Sequence, residues 1–207
     1  MRVLKTLLYV VGGLLAALVV VGLLLPRSAH VERSIEVAAS PATVYALVDG
    51  VGRFNVWSPW AELDPYPRYT YRGPERGVGA RMEWTSDDPD VGSGMQEVVS
   101  TDPGRSVTSR LAFGGQDPAT TTMTLVPQDA GTRVTWAFDS DFGWNLLGRY
   151  FGLLFDGFIG ADYEKGLAKL KALAEREEAA RGAEHAVDQA PAAGPTGQDT
   201  PVPPSPQ

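Results

Sequence analysis

The 207-residue chain has no cysteine and only two histidines, His30 and His185. Without cysteine there is no disulfide and no thiol nucleophile, so a domain outside the cytoplasm is held by its core alone. One histidine precedes the region that reads as folded and the other follows it. No Ser-His-Asp or Cys-His arrangement and no His- or Cys-built metal site can therefore assemble within the domain. Neither a metal nor a cofactor is expected. Lysine is scarce as well, at 5, 165, 169 and 171, and the arginines are scattered through a chain of net charge −7. Nothing clusters as a nucleic acid partner or a lipid-headgroup patch would require, so the arginines read as solvated surface. The pairs Gly77-x-Gly79 and Gly92-x-Gly94 precede strands instead of opening a helix, and no Gly-Lys-Ser/Thr follows; they read as turn glycines, not a phosphate cradle.

What the chain does have is a charge-free run from Thr6 to Leu25, built mostly of Leu, Val, Ala and Gly. A helix of that length covers the roughly 30 Å hydrocarbon core of a bilayer. A secretory leader is the rival, but its apolar stretch is usually shorter, and Leu25-Pro26-Arg27-Ser28-Ala29-His30 offers no small-x-small cleavage site. The expectation is an uncleaved single-pass anchor, residues 1–30 with its linker. Arg2 and Lys5 favour a cytoplasmic amino terminus, which leaves the domain periplasmic or extracellular. At the other end, residues 179–207 lose apolar periodicity and become rich in Pro and Ala. Such a segment cannot bury enough apolar surface to offset its ordering entropy, so a disordered tail is expected.

Between them, residues 31–178 suffice for one domain. Val31–Val37 alternates apolar and polar residues and reads as a strand. Ser40-Pro41 supplies an N-cap and a proline for a short helix that stops at Asp49-Gly50. Six further strands are expected, at 68–72, 80–85, 95–100, 106–113, 120–126 and 132–138, punctuated by Gly-Pro, Asp-Pro and Ala-Gly turn chemistry. From Trp144 to Glu178 the period becomes helical. One apolar stripe holds Leu147, Phe151, Leu154, Phe155 and Phe158; a second, rotated stripe holds Tyr163, Leu167, Leu170 and Ala174. A kink at Gly157 or Gly160 would reconcile them. The fold class is α+β, an antiparallel meander burying one face against the final helix.

Three stretches carry a family resemblance: Trp57-Ser-Pro-Trp-Ala-Glu-Leu-Asp-Pro65, Gly77-Val-Gly-Ala-Arg-Met-Glu-Trp84, and Ile159-Gly-Ala-Asp-Tyr-Glu-Lys-Gly-Leu-Ala-Lys-Leu-Lys171. In order and spacing they resemble the START-like, or SRPBCC, superfamily, in its bacterial single-pass branch similar to polyketide cyclases. The resemblance implies a helix-grip fold: a curved seven-stranded sheet around a long carboxy-terminal helix, with a hydrophobic cavity between. It implies little about chemistry, because fold does not settle function.

Residues sharing a strand face give the candidate ligand contacts: Met82 and Trp84, Leu111 and Phe113, Met123 and Leu125, and Val134 and Trp136 with Phe138 on the same face, opposite Phe155 and Phe158 of the final helix. The family register adds Gln96 and Val98, with Gln96 a rare inward polar group. Trp57 and Trp60 either close the mouth or pin the helix pair to the sheet. The alternative for each residue is plain core packing. Asp139 and Asp141 share a side at the end of the last strand, where solvated acids are commoner than catalytic ones. The expected partner is a hydrophobic small molecule or lipid, bound without covalent chemistry. A cyclase or aromatase using a carboxylate or Tyr, and a non-binding scaffold, are the other readings.

Overall fold

The computed structural model describes residues 2–64, 67–89, 91–114 and 118–188. Its elements are helix α1 (Arg2–Leu24), strand β1 (Ser28–Val37), helices α2 (Pro41–Val48) and α3 (Phe54–Trp57), and strands β2 (Arg68–Arg72), β3 (Arg81–Thr85), β4 (Ser93–Asp102), β5 (Ser106–Phe113), β6 (Ala119–Gln128) and β7 (Gly131–Asp141). Helices α4 (Leu146–Gly152) and α5 (Phe155–Asp188) follow. The strands form one antiparallel sheet in the order β1-β7-β6-β5-β4-β3-β2. After β1 the chain crosses through α2 and α3 to the far edge, then meanders back until β7 pairs with β1. The single face of this sheet that buries apolar side chains grips α5, which is the helix-grip arrangement.

Sequence chemistry explains the local choices. Ser40 caps α2 by accepting from the Thr43 N–H at 3.3 Å, with Pro41 in the first turn. The Ser40 hydroxyl also donates to Glu178 at 3.1 Å, fastening α2 to α5. At one end of the sheet Val37, Val107, Leu125 and Val134 close on Val44 and Leu47 of α2 and on Leu167, Leu170 and Ala174 of α5, all within the buried core. Gly166 makes this approach possible: a Cβ there would lie 2.7 Å from the Trp136 ring and 3.0 Å from Pro59.

Several expectations change. The final helix breaks at Leu153–Leu154, not at Gly157 or Gly160, which both lie inside α5. Gly160 instead gives room to the Arg33 guanidinium, which bonds Asp156 at 2.9 Å and Glu164 at 2.8 Å and so pins α5 to β1. Helix α5 runs on to Asp188, so residues 179–188 are helical where a tail was expected; residues 189–207 lie outside the described residues. Gly94 is a strand residue of β4, directly opposite Trp84, whose ring occupies the space a side chain would need. Strand β1 starts at Ser28, so His30 is a strand residue paired with Asp139, not part of a linker.

Helix α1 is the one helix among the described residues long and apolar enough to cross a membrane. Nearly all of it is exposed, except where Gly22 meets the Tyr150 ring and Leu146 of α4. Arg149 departs most sharply from the expectation of solvated arginines, being only 2% exposed. Its Nη1 donates to the Gly22 and Leu23 carbonyls, each at 3.2 Å, and its Nε donates to Gly143 O at 3.2 Å. The last carbonyls of a helix have no partner within it, and here a cation from α4 supplies one, complementing the negative end of the helix dipole.

Candidate functional site: an apolar cavity at the α4 end

Two adjoining cavities open between the sheet, α4 and α5, of about 910 and 290 Å³. They share Trp60, Val91, Leu111, Phe113, Ile159 and Tyr163 as common walls. Their position follows from a boundary that crosses the central strands, stepping along by one inward residue from β5 to β6 and again from β6 to β7. On β6, Ala119 and Thr121 line the cavities while Met123 and Leu125 do not; on β7, Ser140, Phe138 and Trp136 do and Val134 does not; on β4, Gln96 does and Val98 does not. Beyond that line α2 and the middle of α5 cover the sheet. Before it, α5 has given way to the turn at Leu153–Leu154 and short α4, and the sheet face is left uncovered.

The candidate residues divide along this boundary. Trp60, Met82, Trp84, Gln96, Leu111, Phe113, Trp136 and Phe158 line the smaller cavity, and Phe155 lines the larger. Trp57, Val98, Met123, Leu125 and Val134 line neither; they sit under α2 and α5 as closed core. Trp57 is 2% exposed and donates from Nε1 to Leu47 O at 3.2 Å, so of its two expected roles it pins the helices. Phe158 is 70% exposed and stands at the rim, not on the floor. Phe138 lines the larger cavity as its place on the β7 face implied, and the structure adds Phe54, Tyr69, Ile159 and Tyr163, with Phe142, Leu147 and Phe151 on the larger side. Tyr163 had a signal, its place on the helical stripe. Phe54 and Tyr69 had none, because their elements are too short to show a period.

An aromatic pillar forms the inner wall. Trp136 stacks on Tyr163 with centroids 3.8 Å apart and planes at 7°. Trp57 and Trp60 meet the same indole edge-on at 5.3 and 5.9 Å. Polar groups within the wall are satisfied by one another. Trp136 Nε1 donates to Thr121 Oγ1 at 2.7 Å, and that hydroxyl donates to Ala137 O at 2.9 Å. With its one proton so placed, Thr121 accepts from the Tyr163 hydroxyl at 3.1 Å. Burial pushes the Tyr163 phenol far above its ordinary value. A phenol so poised and already donating is a poor acid or base. Gln96 donates to Ser109 Oγ at 3.3 Å. Asp162, the only carboxylate among the described lining residues, accepts from Trp60 Nε1 at 3.2 Å and pairs with Lys165 at 3.4 Å. What is left facing the space is predominantly apolar, suited to a hydrophobic guest positioned by few polar contacts.

Asp139 and Asp141 point away from this space. Asp141 accepts from the Gly143 N–H at 2.9 Å, and Asp139 bonds His30 Nδ1 at 2.7 Å. That bond raises the His30 pKa above the usual 6.5. A raised folded value means that the pair stabilises the fold below pH 6.5 and that the contribution is lost as pH rises through the folded pKa. The side chains are more than half exposed, so the contribution is small. An NMR titration should place the His30 midpoint above 6.5 and return it toward that value in Asp139→Asn; a midpoint at or below 6.5 in the parent chain would contradict the pairing.

A family model described as polyketide cyclase / dehydrase and lipid transport matches residues 28–175. Among solved structures, a solution structure from Thermobifida fusca is 20% identical with a TM-score of 0.55, covering 71% of this chain and 93% of that one. The di-domain ARO/CYC protein StfQ of the steffimycin biosynthetic pathway is 14% identical with a TM-score of 0.54, covering 72% of this chain and 52% of that one. Truncated norcoclaurine synthase from Thalictrum flavum is 12% identical with a TM-score of 0.54, covering 70% and 92%. At these identities the likeness is one of fold. No curated protein matches the chain in sequence.

Proposed function

Because the chain belongs to the polyketide cyclase / dehydrase and lipid transport family, we propose that it is a membrane-anchored domain that holds a hydrophobic small molecule or lipid in the cavity beside α4. The observation that carries this reading is the size and lining of that cavity: about 910 Å³, walled largely by Leu, Phe, Ile and Trp side chains, at the one end of the sheet that α5 leaves open. Asp162 and Tyr163 are both engaged in the wall, which favours a carrier over a cyclase. The anchor is supported by the way the domain uses it. Cleavage of a leader after Ala29 would divide β1, and it would leave buried Arg149 without the Gly22 and Leu23 carbonyls. The Arg2 and Lys5 pair favours an amino terminus inside and a domain outside.

Native mass spectrometry of the full chain, released from lipid nanodiscs, tests the cavity. One apolar adduct is expected on the parent protein. In Leu111→Trp, which enlarges a shared wall of both cavities, occupancy should fall at least tenfold. The enlarged side chain enters open space, so the loss of stability should stay below the roughly 1–3 kcal/mol that overpacking costs in a closed core. No adduct on the parent chain, or an equal adduct on the variant, would refute the reading.

A further inference from the structure

Six large apolar side chains between residues 144 and 158 are more than half exposed: Trp144, Leu147, Phe151, Leu153, Leu154 and Phe158. A soluble surface scatters such residues singly; here they are gathered within fifteen residues, with Trp144 just before α4, Leu147 and Phe151 on it, Leu153 and Leu154 in the turn that follows, and Phe158 in the first turn of α5. Three of them rim the site: Leu147 and Phe151 line the larger cavity and Phe158 the smaller. We infer that this face lies in the bilayer surface beside α1, so that the cavity opens against lipid and takes its hydrophobe directly from the membrane. The inference rests on the reading of α1 as an anchor and adds where the cavity mouth points.

The depth of contact between α1 and α4 carries the argument. Arg149 reaches the Gly22 and Leu23 carbonyls, and one turn further down Tyr150 Oη donates to Leu18 O at 2.6 Å. Leu18 precedes the end of α1 at Leu24 by six residues, about 9 Å along a helix. A helix of 23 residues is about 35 Å long against a hydrocarbon core of roughly 30 Å, so Leu18 falls several ångströms inside the apolar layer. Helix α4, held at that level by Tyr150, is placed where interfacial amphipathic helices lie, about 5–10 Å into the boundary between headgroups and acyl chains. Leu147 and Phe151 each follow by one residue the α1-facing positions Leu146 and Tyr150, so their stripe lies about 100° round α4, flanking the side that meets the anchor. Arg27 stacks over the Trp144 ring at 4.8 Å, a cation and an indole at the end of the span, where such residues sit at the membrane–water boundary. The opposite end of the sheet is remote: Val126 lies seven residues beyond the lining residue Ala119 on β6, about 23 Å along the strand.

The absence of cysteine allows a direct test. Single-cysteine variants Leu147→Cys, Phe151→Cys, Leu14→Cys and Val126→Cys of the full chain would be spin-labelled in nanodiscs of phosphatidylcholine and phosphatidylglycerol. Collision with oxygen, which concentrates in lipid, is compared with collision with a water-soluble nickel complex. All four positions are exposed or in the span, so substitution should leave the melting temperature unchanged. Labels at 147 and 151 are expected to favour oxygen severalfold, as the Leu14 label does, while the Val126 label favours nickel. Labels at 147 and 151 that behave like Val126, while Leu14 reports lipid, would overturn the membrane-facing mouth and leave the anchor standing. Shielding of 147 and 151 from both reagents would overturn it in favour of a second copy covering the face. An aqueous Leu14 label would refute the anchor and the inference together.

Discussion

Arg149→Ala is expected to destabilise the full chain by about 3 kcal/mol, although the residue lines neither cavity and pairs with no carboxylate among the described residues. The guanidinium is buried, and its partners are the carbonyls of Gly22, Leu23 and Gly143. A hydrogen bond from a charged donor contributes about 1.5–3 kcal/mol, and each buried acceptor left unmade costs about 1–3 kcal/mol. Water entering the vacated space recovers much of this, which sets the estimate well below the sum over three acceptors. Arg149→Lys should recover little, because one ammonium cannot span carbonyls on opposite sides of a planar fork. Thermal unfolding in nanodiscs, followed by near-ultraviolet circular dichroism, reads the effect. A change below about 0.5 kcal/mol for the alanine variant would mean that α1 and the domain are mechanically independent.

Trp136→Ala should cost about 3–5 kcal/mol, the range for truncating a large buried aromatic side chain. Trp136 is 2% exposed, stacked on Tyr163, met by Trp57 and Trp60, and bonded through Nε1 to Thr121. Removing it leaves the Thr121 and Tyr163 hydroxyls with a changed network and the three remaining rings without a centre. Phe158→Ala, by contrast, should change stability by less than about 0.5 kcal/mol, since 70% of that side chain is already exposed. The contrast separates the pillar from the rim. Equal losses at the two positions, or a loss below about 1 kcal/mol at Trp136, would mean that the pillar does not hold the inner wall.

Strand identity was legible because period-two alternation and turn residues repeat along the meander, and β5 spans 106–113 as its pattern implies. Helix α2 was legible from Ser40-Pro41, and α1 from composition alone. Each is a local property: a cap, a pleat or a charge-free run acts on neighbours a few residues away. The inward faces of the strands followed from the same alternation, so Met82, Trp84, Leu111, Phe113 and Trp136 could be named from the pattern.

Which inward residues meet open space and which meet packed neighbours was not legible, because Leu111 and Leu125 are alike as residues and differ only in what lies opposite. That choice was made by the length of α5 and the position of its break at Leu153–Leu154, since a sheet wider than the helix covering it must leave part of its face bare. The glycine at 160, suggestive of a kink, turned out to serve Arg33 from a strand 127 residues earlier, an approach with no trace in local sequence. Arg149 reads in sequence as one more solvated arginine; only the docking of α4 on the end of α1 turns it into the cap of a helix it is not part of. Local periodicity therefore determined the elements and their faces, while the packing of α5 and α4 on the sheet decided where the cavity opens, and contacts between residues more than a hundred positions apart decided how α1 is held.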